Sequence, residues 1–374
     1  MSNFGSDTVE IEDEGSGLPG FEKKYKDQMR QIVTQKLDLP ISTLPIMLKD
    51  QIKINPDFQR RDRWDDERQS RLIESLLMNV PIPPVFLGED EYGFYVVLDG
   101  RQRLTAIEKF LSNNLELKNL TVWDDLNGLR YSDLVARGLD KHLTRRFVAA
   151  IALLKESSPI VKYDVFDRLN TGGVKANEME VRNAVFRGPF TETLHNLSAV
   201  PEFCKCWEIP IDRIDARENS LYQKMIDLAV VLRFFALYEP ENMDGAFKDY
   251  LGTYMEKRNK EYVVNSNLAN EDREIFLRSV KNCWNIFGVD AFRNPEKRQT
   301  GPKSVPLAEA VMIGLARYSP DMITEEHKIA IRQAISGLCL DPTFSKAIST
   351  GTNGKGAILT RITAVRRVLA EILG

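Results

Sequence analysis

Two kinds of hydrophobic pattern divide this chain. Up to about residue 195, short apolar runs of strand length alternate with single amphipathic helices. Residues 94–98 and 147–154 are runs of β-branched, aromatic and small apolar residues, the composition of buried strands. Residues 85–87 begin a further strand, and residues 89–93 form the hairpin turn joining it to 94–98. Helical stripes lie between the strands: Ile73, Leu76, Leu77 and Val80, then Leu104, Ile107, Phe110 and Leu111, then Val161, Val165, Phe166 and Leu169. Asp66 with Gln69 forms a capping pair before the first stripe, and Pro81 stops that helix. Asn177 with Glu180 opens another helix, which runs through Phe186 to Gly188 and Pro189. Residues 21–36 have the pattern of a charged helix, residues 39–54 lead into a first strand, and residues 112–145 form a helical insertion. Beyond residue 195 the texture changes to long amphipathic segments at 220–238, 245–262, 270–287, 306–318, 325–339 and 356–373, the pattern of an all-helical domain.

The expected fold class is therefore α+β. Residues 1–20 form a disordered acidic tail, residues 21–194 a first domain with a small sheet, and residues 195–374 a helical domain. A length of 374 residues accommodates two cores. The net charge of −3 includes five acids and no base in the first 20 residues, so the remainder stands at +2. That balance is too small for binding nucleic acid by overall charge, and any such contact needs a local patch. No apolar run approaches the length of a membrane span, and the N-terminus has no signal-peptide pattern. With only 4 cysteines, the expected compartment is a reducing cytoplasm.

Much familiar chemistry is absent from the pattern. Cys204 and Cys206 have no second Cys/His pair at zinc-site spacing, and His142, His195 and His327 are dispersed. No nucleophile elbow and no dinucleotide fingerprint follows a strand. Neither zinc, haem nor NAD is expected. Attention falls instead on residues 94–111, which predict strand, tight turn and helix. Asp99 and Gly100 form the turn, placing Arg101, Gln102 and Arg103 in the first turn of the helix. Free N–H groups and the positive dipole end favour an anion there, and two guanidiniums would add planar forked donors. Cations at a helix N-terminus oppose the dipole, so function is one reading and a solvated helix start is the plainer one. Residues 349–356, with Asn353, Lys355 and Arg361 in and after them, form a polar loop before a helix. The loop fails the phosphate-loop pattern at Ser349 and at Gly356, and it is kept as a candidate anion loop.

Three ordered motifs carry a resemblance. These are P-D-F-Q-R with Trp64 after it, L-D-G-R-Q-R-L-T-A-I, and F-D-R-L-N-T-G-G followed by V-R-N-A. Together they resemble the domain-of-unknown-function 262 family, which includes the N-terminal halves of GmrSD-type restriction enzymes and SspE-type antiphage proteins. The resemblance is strong over residues 40–190. It implies a ParB/sulfiredoxin-like fold and a nucleoside triphosphate bound with Mg²⁺. By the same resemblance Asp99, Gln102 and Arg103 act in hydrolysis, and Asp99 positions Mg²⁺ or the attacking water. Gln59, Arg60, Gly100, Arg101, Arg103, Asn170, Gly172 and Gly173 would line the nucleotide. Arg101 departs from the family motif, which has Gln in that place. Relatives that cut DNA add a His–Asn–His nuclease domain, for which this chain has no candidate residues. The expected function is a nucleotide-binding, NTP-hydrolysing regulator in a restriction or antiphage system, with DNA and a nuclease or other defence subunit acting in trans as partners. The alternatives are a non-catalytic sensor of modified or phage DNA and a partner-docking scaffold.

Overall fold

The computed structural model describes residues 32–54, 64–169, 177–295 and 301–374. Its sheet has five strands, β1 (Thr34–Pro40), β2 (Ile52–Lys53), β3 (Val85–Glu91), β4 (Phe94–Asp99) and β5 (Phe147–Leu153), in the order β1-β5-β3-β4-β2. The sheet is mixed. β1 is antiparallel to β5, β5 is parallel to β3, β3 is antiparallel to β4, and β4 is parallel to β2. Three helices pack with it: α1 (Leu44–Asp50), α2 (Asp66–Leu77) and α3 (Arg101–Leu111). Leu72, Ile73, Leu76, Leu104, Ile107 and Phe110 meet Val85, Leu87, Val97 and Val148 in one buried cluster. The first two helical stripes read from the sequence thus close this core, except at Val80, which lies beyond the end of α2 and is exposed.

The helical half follows as α4 (Pro159–Leu169), α5 (Glu178–Val185), α6 (Pro189–Ser198), α7 (Pro201–Trp207), α8 (Ile226–Ala236), α9 (Phe247–Val264), α10 (Asn267–Phe287), α11 (Val305–Leu315), α12 (Glu325–Leu340), α13 (Pro342–Ser349) and α14 (Lys355–Leu373). Its core is a second cluster built on Phe203, Trp207, Phe234, Phe276, Met312 and Ile362. Phe166 of α4 and Val181 of α5 join this second cluster, together with Leu98 and Leu153 from the sheet. No helix among the described residues is long and apolar enough to cross a membrane.

Several local expectations are corrected. Thr34–Lys36 belong to β1 and not to a charged helix; Leu37 and Leu39 alternate toward the core, and β5 supplies the pairing partner. The first strand therefore precedes residues 39–54, which hold α1 and β2. The cap of α2 is Asp65, whose carboxylate accepts the Arg68 N–H at 2.8 Å. Gln69 instead donates to the Trp64 carbonyl at 2.8 Å. The same helix ends at Leu77, four residues before Pro81, because Asn79 adopts φ 60° and turns the chain. The hairpin turn is only Tyr92 and Gly93, since β3 runs on to Glu91. Met225, at φ 52°, separates Ser220–Gln223 from α8, so residues 220–238 are not one helix. The α5 cap is as expected, with Asn177 Oδ1 accepting from Met179 and Glu180.

Charge is also buried in the helical core. Glu309 on α11 and Arg361 on α14 are both 0% exposed and paired with each other. Arg233 on α8 binds the other Glu309 oxygen. Arg361 further donates to the Thr352 carbonyl at 2.6 Å and to the Ala347 carbonyl at 3.3 Å. Burial pushes the Arg361 guanidinium below its ordinary range, and Glu309 opposes that shift. Removing the shared anion strands two buried cations, at a cost of about 3–5 kcal/mol. Glu309→Ala is expected to lose stability on that scale in urea unfolding followed by circular dichroism. Arg361→Met, which leaves Glu309 with Arg233, is expected to lose less; the reverse order would refute this account.

Candidate functional site

The candidate site is built where β4 passes into α3. Gly100 sits at φ 91° and occupies the N-cap position of the helix. A Cβ at residue 100 would lie 2.5 Å from Val85 Cγ1 and 2.9 Å from Val85 Cβ. Both the backbone conformation and the close approach of β3 therefore demand glycine. Gly100 has no side chain with which to cap the first turn, and no acidic residue stands in that turn. The N-terminal end of α3 keeps its positive character beside Arg101, Gln102 and Arg103.

Arg103 is committed to the architecture. Its Nη2 donates to Asp99 Oδ2 at 2.6 Å, four residues back across the turn. Its Nη1 donates to the carbonyls of Pro83 and Pro84, the second at 3.1 Å. Prolines give up their own N–H but keep a carbonyl acceptor, and here two successive carbonyls meet one guanidinium. The side chain of Arg103 is 12% exposed and that of Asp99 38%. Arg103 thus positions the Asp99 carboxylate and the segment entering β3. Gripping a phosphate with these same donors would require giving up those bonds. Arg101 and Gln102 are half-buried at the same helix start.

A Mg²⁺ ion fits this set only in one way. One oxygen of Asp99 is on Arg103, which leaves the other for a hard cation carried on phosphate oxygens and water. Among the described residues no group of three or more His, Cys, Asp and Glu side chains is placed to hold a metal ion. The cysteines are buried and free, and burial pushes the Cys206 thiol up to about 12. That is the opposite of an activated nucleophile.

The other sequence candidates fall into two groups. Gln59, Arg60, Asn170, Gly172 and Gly173 lie outside the described residues. The helices flanking the last three, α4 and α5, both pack against β4, the strand that leads into the turn. The 349–356 loop is bound inward. Arg361 is buried on Glu309, Lys355 Nζ donates to the Met243 and Glu241 carbonyls, and Asn353 Oδ1 accepts from Arg233 at 3.1 Å. Sequence reasoning missed Glu89, which is 7% exposed and fastens the hairpin end to the end of β5. Its carboxylate accepts the N–H groups of Gly93 and Lys155, each at 3.0 Å, and its carbonyl accepts Lys162 Nζ at 2.9 Å. Nothing local signals this, because all of the partners except Gly93 come from distant segments.

Residues 44–187 match the family model described as the GmrSD restriction endonuclease, N-terminal domain. The chain carries a domain of this type over that stretch, which contains the 99–103 turn, β2–β5 and α1–α5. No curated protein and no solved structure matches the chain.

Gly100→Ala is expected to cost at least the roughly 1–3 kcal/mol of a strained backbone position, read as a lowered Tm. Arg103→Lys is expected to destabilise as well, because one ammonium cannot span Asp99 and both proline carbonyls. A melting temperature unchanged in both variants would refute the clamp.

Proposed function

We propose that this chain is a nucleotide-binding subunit of a restriction or antiphage system, with the nucleotide phosphates held at the start of α3. The observation that carries the reading is the uncapped N-terminus of α3, which Gly100 leaves open and which has Arg101 and Gln102 in its first turn. An anion there would take the place of a cap, meeting the N–H groups that a helix start leaves without an intrahelical partner. The GmrSD-type domain match, which contains this turn, supports the defence context.

Within this reading Arg101 is the cation that meets phosphate, and Arg103 acts through Asp99. Asp99 meets Mg²⁺ carried by the phosphates, and that ion would neutralise charge on the phosphoryl oxygens. Asp99 and Gln102 are the residues assigned to orienting water for hydrolysis. Gln59, Arg60, Asn170, Gly172 and Gly173 complete the cleft by their motif positions. Nucleotide binding at the junction of β4 with α4 and α5 would bias how the helical half sits on the sheet.

The test is a thermal-shift and calorimetric titration of the full chain with ATP, GTP, CTP and UTP in the presence of Mg²⁺. A ligand at about a hundred times its Kd adds roughly 2.7 kcal/mol to stability. One or more nucleotides are expected to raise Tm, with affinity falling about tenfold or more in Arg101→Ala. Gln102→Ala is expected to slow phosphate release by about a hundredfold, the scale of a lost water-positioning group, while binding stays within a few fold. No shift with any nucleotide, together with salt-sensitive binding of a DNA duplex, would overturn this reading in favour of a DNA sensor.

A further inference from the structure

A second feature lies in the helical half. A cleft of about 510 Å³ opens between α5, α8 and the start of α9. Arg182, Lys224, Arg233 and Lys248 line it, against one carboxylate, Glu178. The lining also includes the apolar residues Ile226, Leu232, Phe247 and Leu251.

The arginine at its wall is not fully used. Arg182 is 3% exposed, and its Nη2 donates to Glu178 at 3.2 Å and to the Lys248 carbonyl at 2.9 Å. Its Nε–H has no hydrogen-bond partner among the described residues. A buried N–H donor without an acceptor is unfavourable, and Arg182 is one of the residues that line the cleft. Arg182 is held in place by the Tyr163 ring, 5.3 Å from its guanidinium carbon. Arg233 is likewise fixed, 4.4 Å above Phe247 and bound to Glu309 and Asn353. Glu309 is shared with Arg361, so the pair of arginines exceeds its one counter-ion. Lys224 is exposed at the rim. The cleft therefore combines guanidiniums held by their neighbours, an exposed ammonium and apolar lining residues.

We propose that this cleft binds a phosphorylated small molecule, its phosphates on Arg182, Lys224 and Lys248 and its body against Ile226, Leu232 and Leu251. The site is separate from the α3 turn and does not depend on the function proposed for it. Fixed guanidiniums recognise phosphate oxygens at small entropic cost, and the apolar face favours an organic phosphate over the inorganic ion.

Calorimetry of the full chain in the Arg101→Ala background, where the first site is weakened, separates the two. The probes are inorganic pyrophosphate and ADP without added metal. Binding of at least one probe is expected, and Lys224→Glu, at an exposed position, is expected to weaken it tenfold or more. Arg182→Gln should do the same, with circular dichroism and Tm confirming its fold. Tighter ADP than pyrophosphate identifies a nucleotide-like ligand; equal affinities identify the polyphosphate group alone, and either result supports the site. Absence of binding by both probes, or affinity unchanged in Lys224→Glu, overturns it. If Lys224→Glu removes binding while Arg101→Ala alone changes nothing, this site stands by itself, and failure of the α3 site is read separately in the titration with Mg²⁺.

Discussion

The guanidinium of Arg103 is the constraint on which the architecture of the turn depends. It joins the carboxylate that ends β4 to the two proline carbonyls that precede β3. Those strands are antiparallel neighbours at the middle of the sheet, so one side chain fixes where both enter or leave it. The turn between Asp99 and Arg103 must then be as tight as possible, and Val85 leaves no room for a Cβ at residue 100. A helix that starts on glycine starts without a side-chain cap. The anion-attracting end of α3 is thus a by-product of the packing of β3 on the turn, which function can use without further modification.

Arginine is used in the same way elsewhere, as a structural fork that joins separate elements. Arg361 and Arg233 share Glu309 at the meeting of α8, α11 and α14. Arg182 leans on Tyr163 and holds the Lys248 carbonyl. A guanidinium has five N–H donors and stays charged when buried, so it can satisfy architecture and still offer a donor. Lysine could not do both, since its ammonium loses its charge more readily on burial. Burial pushes Lys162 below its ordinary range even with Asp90, Glu89 and Glu156 nearby.

The sequence made the periodic elements legible, along with turns that have one chemical solution. The strand at 94–98, the turn at Asp99 and Gly100, and the stripe Leu104, Ile107, Phe110 are local facts, and the structure has them. So is the Asn177–Glu180 cap, because both partners lie within one helical turn. β1 was hidden because its outward residues are polar and its pairing partner lies more than a hundred residues away. The helices Pro189–Ser198, Pro201–Trp207 and Pro342–Ser349 are short, and their proline starts resemble breaks between longer segments. At the site, residue types pointed to Arg101 and Arg103 as equals. The fold gives Arg103 a structural place that the residue types do not show, because the carbonyls that meet it belong to a segment twenty residues earlier and carry no sequence signal of their own. For the same reason the sequence offered Arg361 to a candidate anion loop: the acid that it is buried against, Glu309, is on another helix.

The two cation-rich places are tied together by α5. Its N-terminal end, at Asn177, donates through the side-chain amide to the Lys224 carbonyl at 2.7 Å, at the rim of the helical cleft. Arg182, one turn on, lines that cleft, while the same helix packs against β4, whose last residue is Asp99. Val181 and Met179 of α5 lie in the cluster of the helical half, with Leu98 of β4 in the same cluster. A rigid element that touches both places, and whose apolar residues are buried in one continuous core, cannot shift at one end without strain at the other. The boundary between sheet and helical half is therefore shared packing through α4 and α5.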